Sequence, residues 1–431
     1  MSLTTAVVMS LGTVSVQAED TSTISLIDNV KVTGEIRPRY EMVETNNAKN
    51  NANALTNRLV IGVRGDLFGT DWLSGYAEMT DVHNLNNNYN STDNGGGTGN
   101  NNVVADPEQT RVTQSYLDFK YNKTTLRTGR QMINLDNQRF IGAVGWRQMP
   151  QTFNAYSVMD NSIEGLNLMA SYLTQVNTIF ADNGIDKVNA YKTKSVLLNA
   201  KYKVMDELTV GAYGYLLGSY GNTYGLALTG KPKVADNLTL NYRAEYAMMS
   251  DATLDSDNGD TFTPPYYTRA KNGKPDVDAS YYNLELGMNM SGILAGLGYE
   301  FQSGKANTDL STEIKTFTTP LGTNHKFNGW ADVFLVTPKA GLKDANIMLG
   351  YKSKDVGVFK AIYHDFTSDK DSIDYGSEID LLYKRAIPGV KGLTGMLKYA
   401  DYKADDSALS GNPKSVDVQK FWVMLDFKFS N

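Results

Sequence analysis

The chain has 431 residues, 41% of them hydrophobic and 20% charged, with 41 Lys and Arg against 47 Asp and Glu and a formal net charge of -6. The absence of Cys excludes disulfide scaffolds, Cys-ligated zinc and thiol catalysis, and the acidic balance offers nucleic acid no basic surface. No run approaches the roughly twenty apolar residues of a membrane helix, while aromatic and branched residues recur too regularly for a disordered chain.

Residues 3–16 are apolar or small, and Val16 and Ala18 occupy the -3 and -1 positions of a cleavage site. This predicts a secretory signal peptide over 1–18, atypical in lacking a basic start, followed by one domain over 19–431.

From residue 29 onward apolar and polar side chains alternate, the signature of two-faced strands. About eighteen such segments are predicted, near 29–43, 56–66, 73–82, 110–121, 124–133, 150–158, 163–175, 193–204 and 207–219, then 223–231, 237–249, 279–290, 293–303, 343–352, 355–366, 374–385, 391–403 and 414–430. In the last, Phe421, Val423, Leu425, Phe427 and Phe429 oppose Trp422, Met424, Asp426 and Lys428. Short links such as Asn122-Lys123, Asp206-Glu207 and Ser291-Gly292 alternate with long loops at 83–109, 134–149, 250–278 and 304–342. That rhythm predicts an all-β transmembrane antiparallel barrel with short periplasmic turns and long extracellular loops. A closed barrel leaves no unpaired edge in lipid, so every second side chain is free to be polar inside.

The polar faces then define the lumen. Strand one points Lys31, Glu35, Arg37, Arg39 and Glu41 to one side and sets Pro38 on the lipid side, where a lost ladder bond suggests a bulge or rim position. Further pore-lining candidates include Arg58, Arg64, Glu78, Asp118, Arg127, Arg243, Glu245, Glu285, Glu300, Glu378, Asp380 and Lys398. Mixed rings of guanidinium and carboxylate set both the shape and the selectivity of a pore. Two long segments, Gly129 to Phe153 with Arg130, Arg139 and Arg147, and Phe327 to Pro338, are too aromatic to hang in solvent and are candidates for insertion into the lumen. The Asn- and Gly-rich stretch 84–109 is expected to be external and mobile.

Several motifs, in order along the chain, carry a family resemblance: Gly34-Glu35-Ile36-Arg37-Pro38-Arg39-Tyr40-Glu41, Gly129-Arg130-Gln131, Asn137-Gln138-Arg139-Phe140-Ile141-Gly142, Gly145-Trp146-Arg147-Gln148, Phe327-Asn328-Gly329-Trp330-Ala331-Asp332 and Tyr375-Gly376-Ser377-Glu378-Ile379-Asp380. The sequence resembles the alginate export family of outer-membrane barrels and its related porins. The resemblance implies a monomeric eighteen-stranded barrel with loops folded into the pore. It also implies an electropositive constriction for a uronate polymer, at which Arg130, Arg139 and Arg147 are the motif-matched positions. One departure is the C-terminus, Phe429-Ser430-Asn431, which does not finish on an aromatic residue.

The expected function is an outer-membrane channel of a Gram-negative bacterium for anionic solutes, sugar acids or a uronate polymer. A general solute porin and a plugged structural or adhesive barrel are the alternatives. Its partners would be outer-membrane lipid, the anionic solute and, during biogenesis, the barrel-assembly machinery. No cofactor, metal or catalytic residue is expected. His83, His325 and His364 lack any nucleophile or metal-ligand spacing. The Asp251 to Asp260 stretch echoes a calcium loop but has Tyr266 where the closing Glu belongs.

Overall fold

The computed structural model describes residues 25–92, 100–181, 189–218, 220–254, 276–311, 313–405 and 414–431. The signal-peptide region and most of the acidic stretch after Leu254 lie outside these residues.

Eighteen long strands build the wall. They are β1 (Ile27–Thr45), β2 (Ala52–Leu67), β3 (Leu73–Asn84), β4 (Gln109–Tyr121), β5 (Thr124–Gln131), β6 (Thr152–Asp160), β7 (Leu166–Asn177), β8 (Ala190–Met205) and β9 (Leu208–Leu217). They continue with β10 (Gly221–Gly230), β11 (Leu238–Ser250), β12 (Ala279–Met290), β13 (Ile293–Gln302), β14 (Leu342–Ser353), β15 (Gly357–Thr367), β16 (Asp374–Ala386), β17 (Leu393–Ala404) and β18 (Val418–Ser430). A three-residue strand, Lys233–Ala235, carries β10 onward past Pro232 along β11. Every strand pairs antiparallel with its sequence neighbour, and β1 meets β18 from Thr33–Ser430 to Thr45–Val418, so the sheet closes without a free edge.

Side-chain alternation sorts the wall into two faces. On β18, Trp422 and Met424 are buried toward the lumen, whereas Val423 and Leu425 are 39% and 44% exposed on the outside. The same parity exposes Leu349, Leu381 and Leu397 and buries Asp344, Asp380 and Lys398. Pro38 sits in the middle of β1, not at a rim. The ladder to β18 skips Arg37 and Pro38 but resumes in the same register at Arg39–Met424, so the missing N–H costs local pairing without creating a bulge.

The apolar core is inside the barrel. Phe140, Ile141, Phe317 and Leu321, all from loops, pack on Tyr213, Tyr215 and Tyr281 of the wall. Phe334 and Ala331 pack on Phe366, Tyr375, Tyr402 and Trp422. Burying such side chains is worth about 1.5–3 kcal/mol each, which is enough to hold loops inside an otherwise polar lumen.

Candidate functional site: a loop-filled lumen

Two long loops, 132–151 after β5 and 303–341 after β13, fold inward and bind each other. Gly142 N–H donates to Leu321 O at 2.8 Å and Thr323 N–H to Gln138 O at 2.9 Å. Arg139 secures the junction: Nε donates to Glu300 Oε1 of β13 at 2.7 Å, Nη2 to Asn328 Oδ1 at 2.9 Å, and the guanidinium lies 4.9 Å from the Phe327 ring centre. Burial alone would lower the Arg139 pKa, but Glu300 carries it above its ordinary value.

Wall carboxylates grip the second loop by its backbone. Ala331 N–H donates to Glu378 Oε1 at 2.7 Å and Trp330 N–H to Asp380 Oδ2 at 3.1 Å. The close approach requires Gly329, whose φ is 81° and whose place a Cβ would fill at 2.3 Å from a Glu378 oxygen.

Next to this grip lies a buried charge network. Arg147 contacts Glu41 of β1 at 3.3 Å and donates to Asp332 Oδ2 at 3.1 Å. Asp332 also accepts from Lys420 Nζ at 2.7 Å and contacts His325 Nδ1 at 2.5 Å, while Lys398 Nζ donates to His325 Nε2 at 2.7 Å. The Lys398 ammonium lies 3.8, 4.3 and 5.3 Å from the ring centres of Trp330, Trp146 and Trp422. Burial pushes His325 down to about 3, so its neutral ring donates through Nδ1 to Asp332 and accepts Lys398 through Nε2. Burial alone would raise Asp332, yet His325, Lys420 and Arg147 hold it well below the ordinary carboxylate range.

The stretch 84–109 departs from its sequence reading. Tyr89 and Val104 are buried against Val43, Ala52 and Ala54, and Asp106 is buried against Arg39 and Arg147. Gln148 N–H donates to Asp106 Oδ1 at 2.7 Å. Composition suggested a solvated loop, but two apolar anchors and one acid bring its described ends inside. Residues 93–99 lie outside the description.

The wall arginines fall into sets. Arg37 donates to Arg147 O at 2.6 Å, Gly145 O at 3.0 Å and Gln148 Oε1 at 3.0 Å, and Arg39 donates to Trp146 O at 2.6 Å, so both clasp the first inserted loop. Arg37 and Arg58 share one carboxylate, Glu35, at 3.6 and 3.5 Å. Nearer the periplasmic end, Arg64 and Arg127 share Asp118 at 3.0 and 2.6 Å and remain partly exposed, at 34% and 20%. Glu78 is occupied by neighbours, accepting from Thr113, Tyr76 and Gln114 at 2.7, 2.7 and 3.0 Å. Arg243 pairs with Glu245 at 2.7 Å beside an open cavity of about 450 Å³, also lined by Glu285, Lys326, Asn346 and His364.

Arg130 is not among them. It shares strand parity with Leu126 on the outer face and donates to Val112 O at 2.8 Å and Asn154 Oδ1 at 3.1 Å. A motif match carries no information about which side of the wall a residue takes; the odd spacing from Arg127 does. Lys420 and Asp106 were not singled out from sequence. Parity with Trp422 was the available signal for Lys420, and Asp106 had none.

A family model described as alginate export matches residues 28–212. The molecule is an outer-membrane β-barrel. Its β1 to β9 region carries the alginate export resemblance, and no curated relative matches it in sequence. The solved structure of Acinetobacter baumannii OccAB2 is similar at a TM-score of 0.69 and 18% identity, covering 94% of this chain and 99% of that one. Pseudomonas aeruginosa OccK8 (OprE) is similar at 0.67 and 16%, covering 94% and 99%. Pseudomonas aeruginosa OpdK with vanillate is similar at 0.67 and 13%, covering 94% and 100%. The family and these structural neighbours are outer-membrane porins and channels, not enzymes.

Proposed function

We infer that the barrel is a passive, monomeric channel for small anionic solutes, with sugar acids of the uronate type as the preferred class. The observation that carries this reading is stoichiometric. On the β1 to β5 wall two carboxylates at successive heights are each shared by two guanidiniums, Glu35 by Arg37 and Arg58 and Asp118 by Arg64 and Arg127, which leaves a local surplus of positive charge at both. An unshared guanidinium face suits a carboxylate through paired hydrogen bonds, and a solute can step from one to the next. The cross-bonded loops and the 450 Å³ cavity favour a monomer or short oligomer over a polymer chain. That one structural neighbour was crystallised with vanillate, a carboxylate, agrees with this class.

The pore-lining roles then divide. Arg64, Arg127, Arg58 and Arg243 set the field along the path, with Asp118 fixing the geometry of Arg64 and Arg127. Arg37, Arg39, Arg139, Arg147, Glu378, Asp380 and Lys398 hold the loops. Residues 1–18 serve as the export signal, cleaved after Ala18, and the barrel-assembly machinery inserts the mature chain. N-terminal sequencing of the membrane-extracted protein should begin at Glu19. Single-channel recordings should show block by glucuronate and none by glucose at the same concentration; equal effects of the two sugars would reject the assignment. The continuous loop network gives the plugged barrel its one supporting observation, and a conductance of zero in the same recordings would favour it.

A further inference from the structure

The outer surface carries a groove independent of the lumen. In a row across β14, β15 and β16, Leu349 pairs with Ala361 and Ala361 with Leu381, so a methyl group sits between two leucines exposed at 60% and 44%. One row closer to the short turns, Tyr351, Phe359 and Tyr383 stand side by side, the last two stacked at 4.4 Å. The deficit of volume at Ala361 leaves an apolar furrow of about 490 Å³ on the face turned to lipid. It lies in the periplasmic half of the wall, since Tyr351 is two residues from the end of β14 and Tyr383 donates its hydroxyl to Val356 O of the short turn at 3.1 Å.

Basic side chains sit below the furrow. Arg385 follows Tyr383 on the same outward face, its Cβ against Gly357, and Lys354 and Lys391 stand exposed in the two adjoining turns. None of the three has an ion pair among the described residues, and Asp355 is the only acid in those turns. The turns after β2, β6 and β8 carry acids instead, Asp71, Glu164, and Asp206 with Glu207, while the turns after β4 and β10 are basic too, with Lys123 and with Lys231 and Lys233 against Asp236, but stand away from the furrow.

We propose that this sector is a binding site for one anionic phospholipid of the inner leaflet, with an acyl chain in the furrow over Ala361 and its headgroup phosphate on Arg385 and Lys391. Tyr351, Phe359 and Tyr383 line the furrow together with the leucines, so a single chain lying in it runs past the aromatic row to the basic turns. The net positive rim supplies charge complementarity to an anionic headgroup within a screening length of the surface.

The test is native mass spectrometry of the full detergent-solubilised barrel titrated with phosphatidylglycerol or phosphatidylcholine of matched chains. Wild type should retain one phosphatidylglycerol at least about fivefold better than phosphatidylcholine. Ala361→Phe should lose retention of both lipids, whereas the rim pair Arg385→Gln with Lys391→Gln should retain both equally. The rim variant leaves the wall packing untouched, and heat-modifiable gel migration reports that each barrel is folded. Equal retention of the two lipids by wild type, unchanged preference in the rim variant, or a dimer that Ala361→Phe dissociates would each overturn the proposal.

Discussion

Two regions of the lumen use the same residue type to opposite ends. In the extracellular half, Arg39, Arg139 and Arg147 are buried and multiply partnered: Arg39 meets Glu41, Asp106 and the Trp146 carbonyl, Arg139 meets Glu300 with the Asn324 and Asn328 amides, and Arg147 meets Glu41, Asp106 and Asp332. In the periplasmic half, Arg64 and Arg127 are partly exposed and divide one carboxylate. Burial and partner count, not the residue, decide whether an arginine is a fastener or part of a selectivity field. A desolvated charge must be fully paired or it destabilises its surroundings, whereas a half-paired charge at a wet surface retains field to act on a solute.

The comparison can be broken most forcefully at its buried end. Arg147→Ala takes from Glu41, Asp106 and Asp332 the cation they share, leaving Arg39 to the first two and Lys420 to the third, so the loss falls at the lower end of the roughly 3–5 kcal/mol of a broken buried pair. The loops should detach, seen as larger and noisier single-channel currents and a lowered thermal midpoint.

Acid should act on the same contact more gently. His325 is held neutral in the fold, at about 3, below its ordinary range near 6.5. A depressed pKa means that the undocked loop takes up protons first, so docking weakens as pH falls from about 6.5 toward 3. Asp332 adds to the loss only below the ordinary carboxylate range, near 4, because its own pKa is depressed by His325, Lys420 and Arg147. Gating noise should therefore rise on acidification, and His325→Gln should flatten the rise above pH 4.

At the exposed end, Arg64→Gln with Arg127→Gln should weaken glucuronate block by about tenfold, the scale of one lost charge-assisted contact, and because Asp118 is itself buried and loses both cations, the thermal midpoint should fall as well, recovering when Asp118→Asn is added. Arg130→Ala, on the outer face, should alter neither conductance nor block; a change in either would place its side chain in the path.

Much of the wall was legible in the sequence because a period of two is both the chemistry of the barrel and its signature. Phe421 to Phe429 read as one outer face, and Trp422 and Lys428 as the other, before any coordinate. What composition could not convey was the third dimension of the loops. The Asn- and Gly-rich segment hides Tyr89, Val104 and Asp106, whose partners on β1 and β2 are distant in sequence. Family motifs named Arg130, Arg139 and Arg147 together, yet strand parity sends the first outward while the other two, in a folded loop, turn inward. The two-to-one sharing of Glu35 and Asp118 depends on register between neighbouring strands, which no single strand encodes.

The central claim, that the half-paired arginines of the β1 to β5 wall give the channel its preference, is tested most directly by the zero-current potential across a KCl gradient in a planar bilayer. Wild type should give a potential of the sign set by chloride, collapsing toward zero in the Arg64→Gln, Arg127→Gln double variant. A cation-selective wild type, or a potential unchanged by the double substitution, would contradict the account.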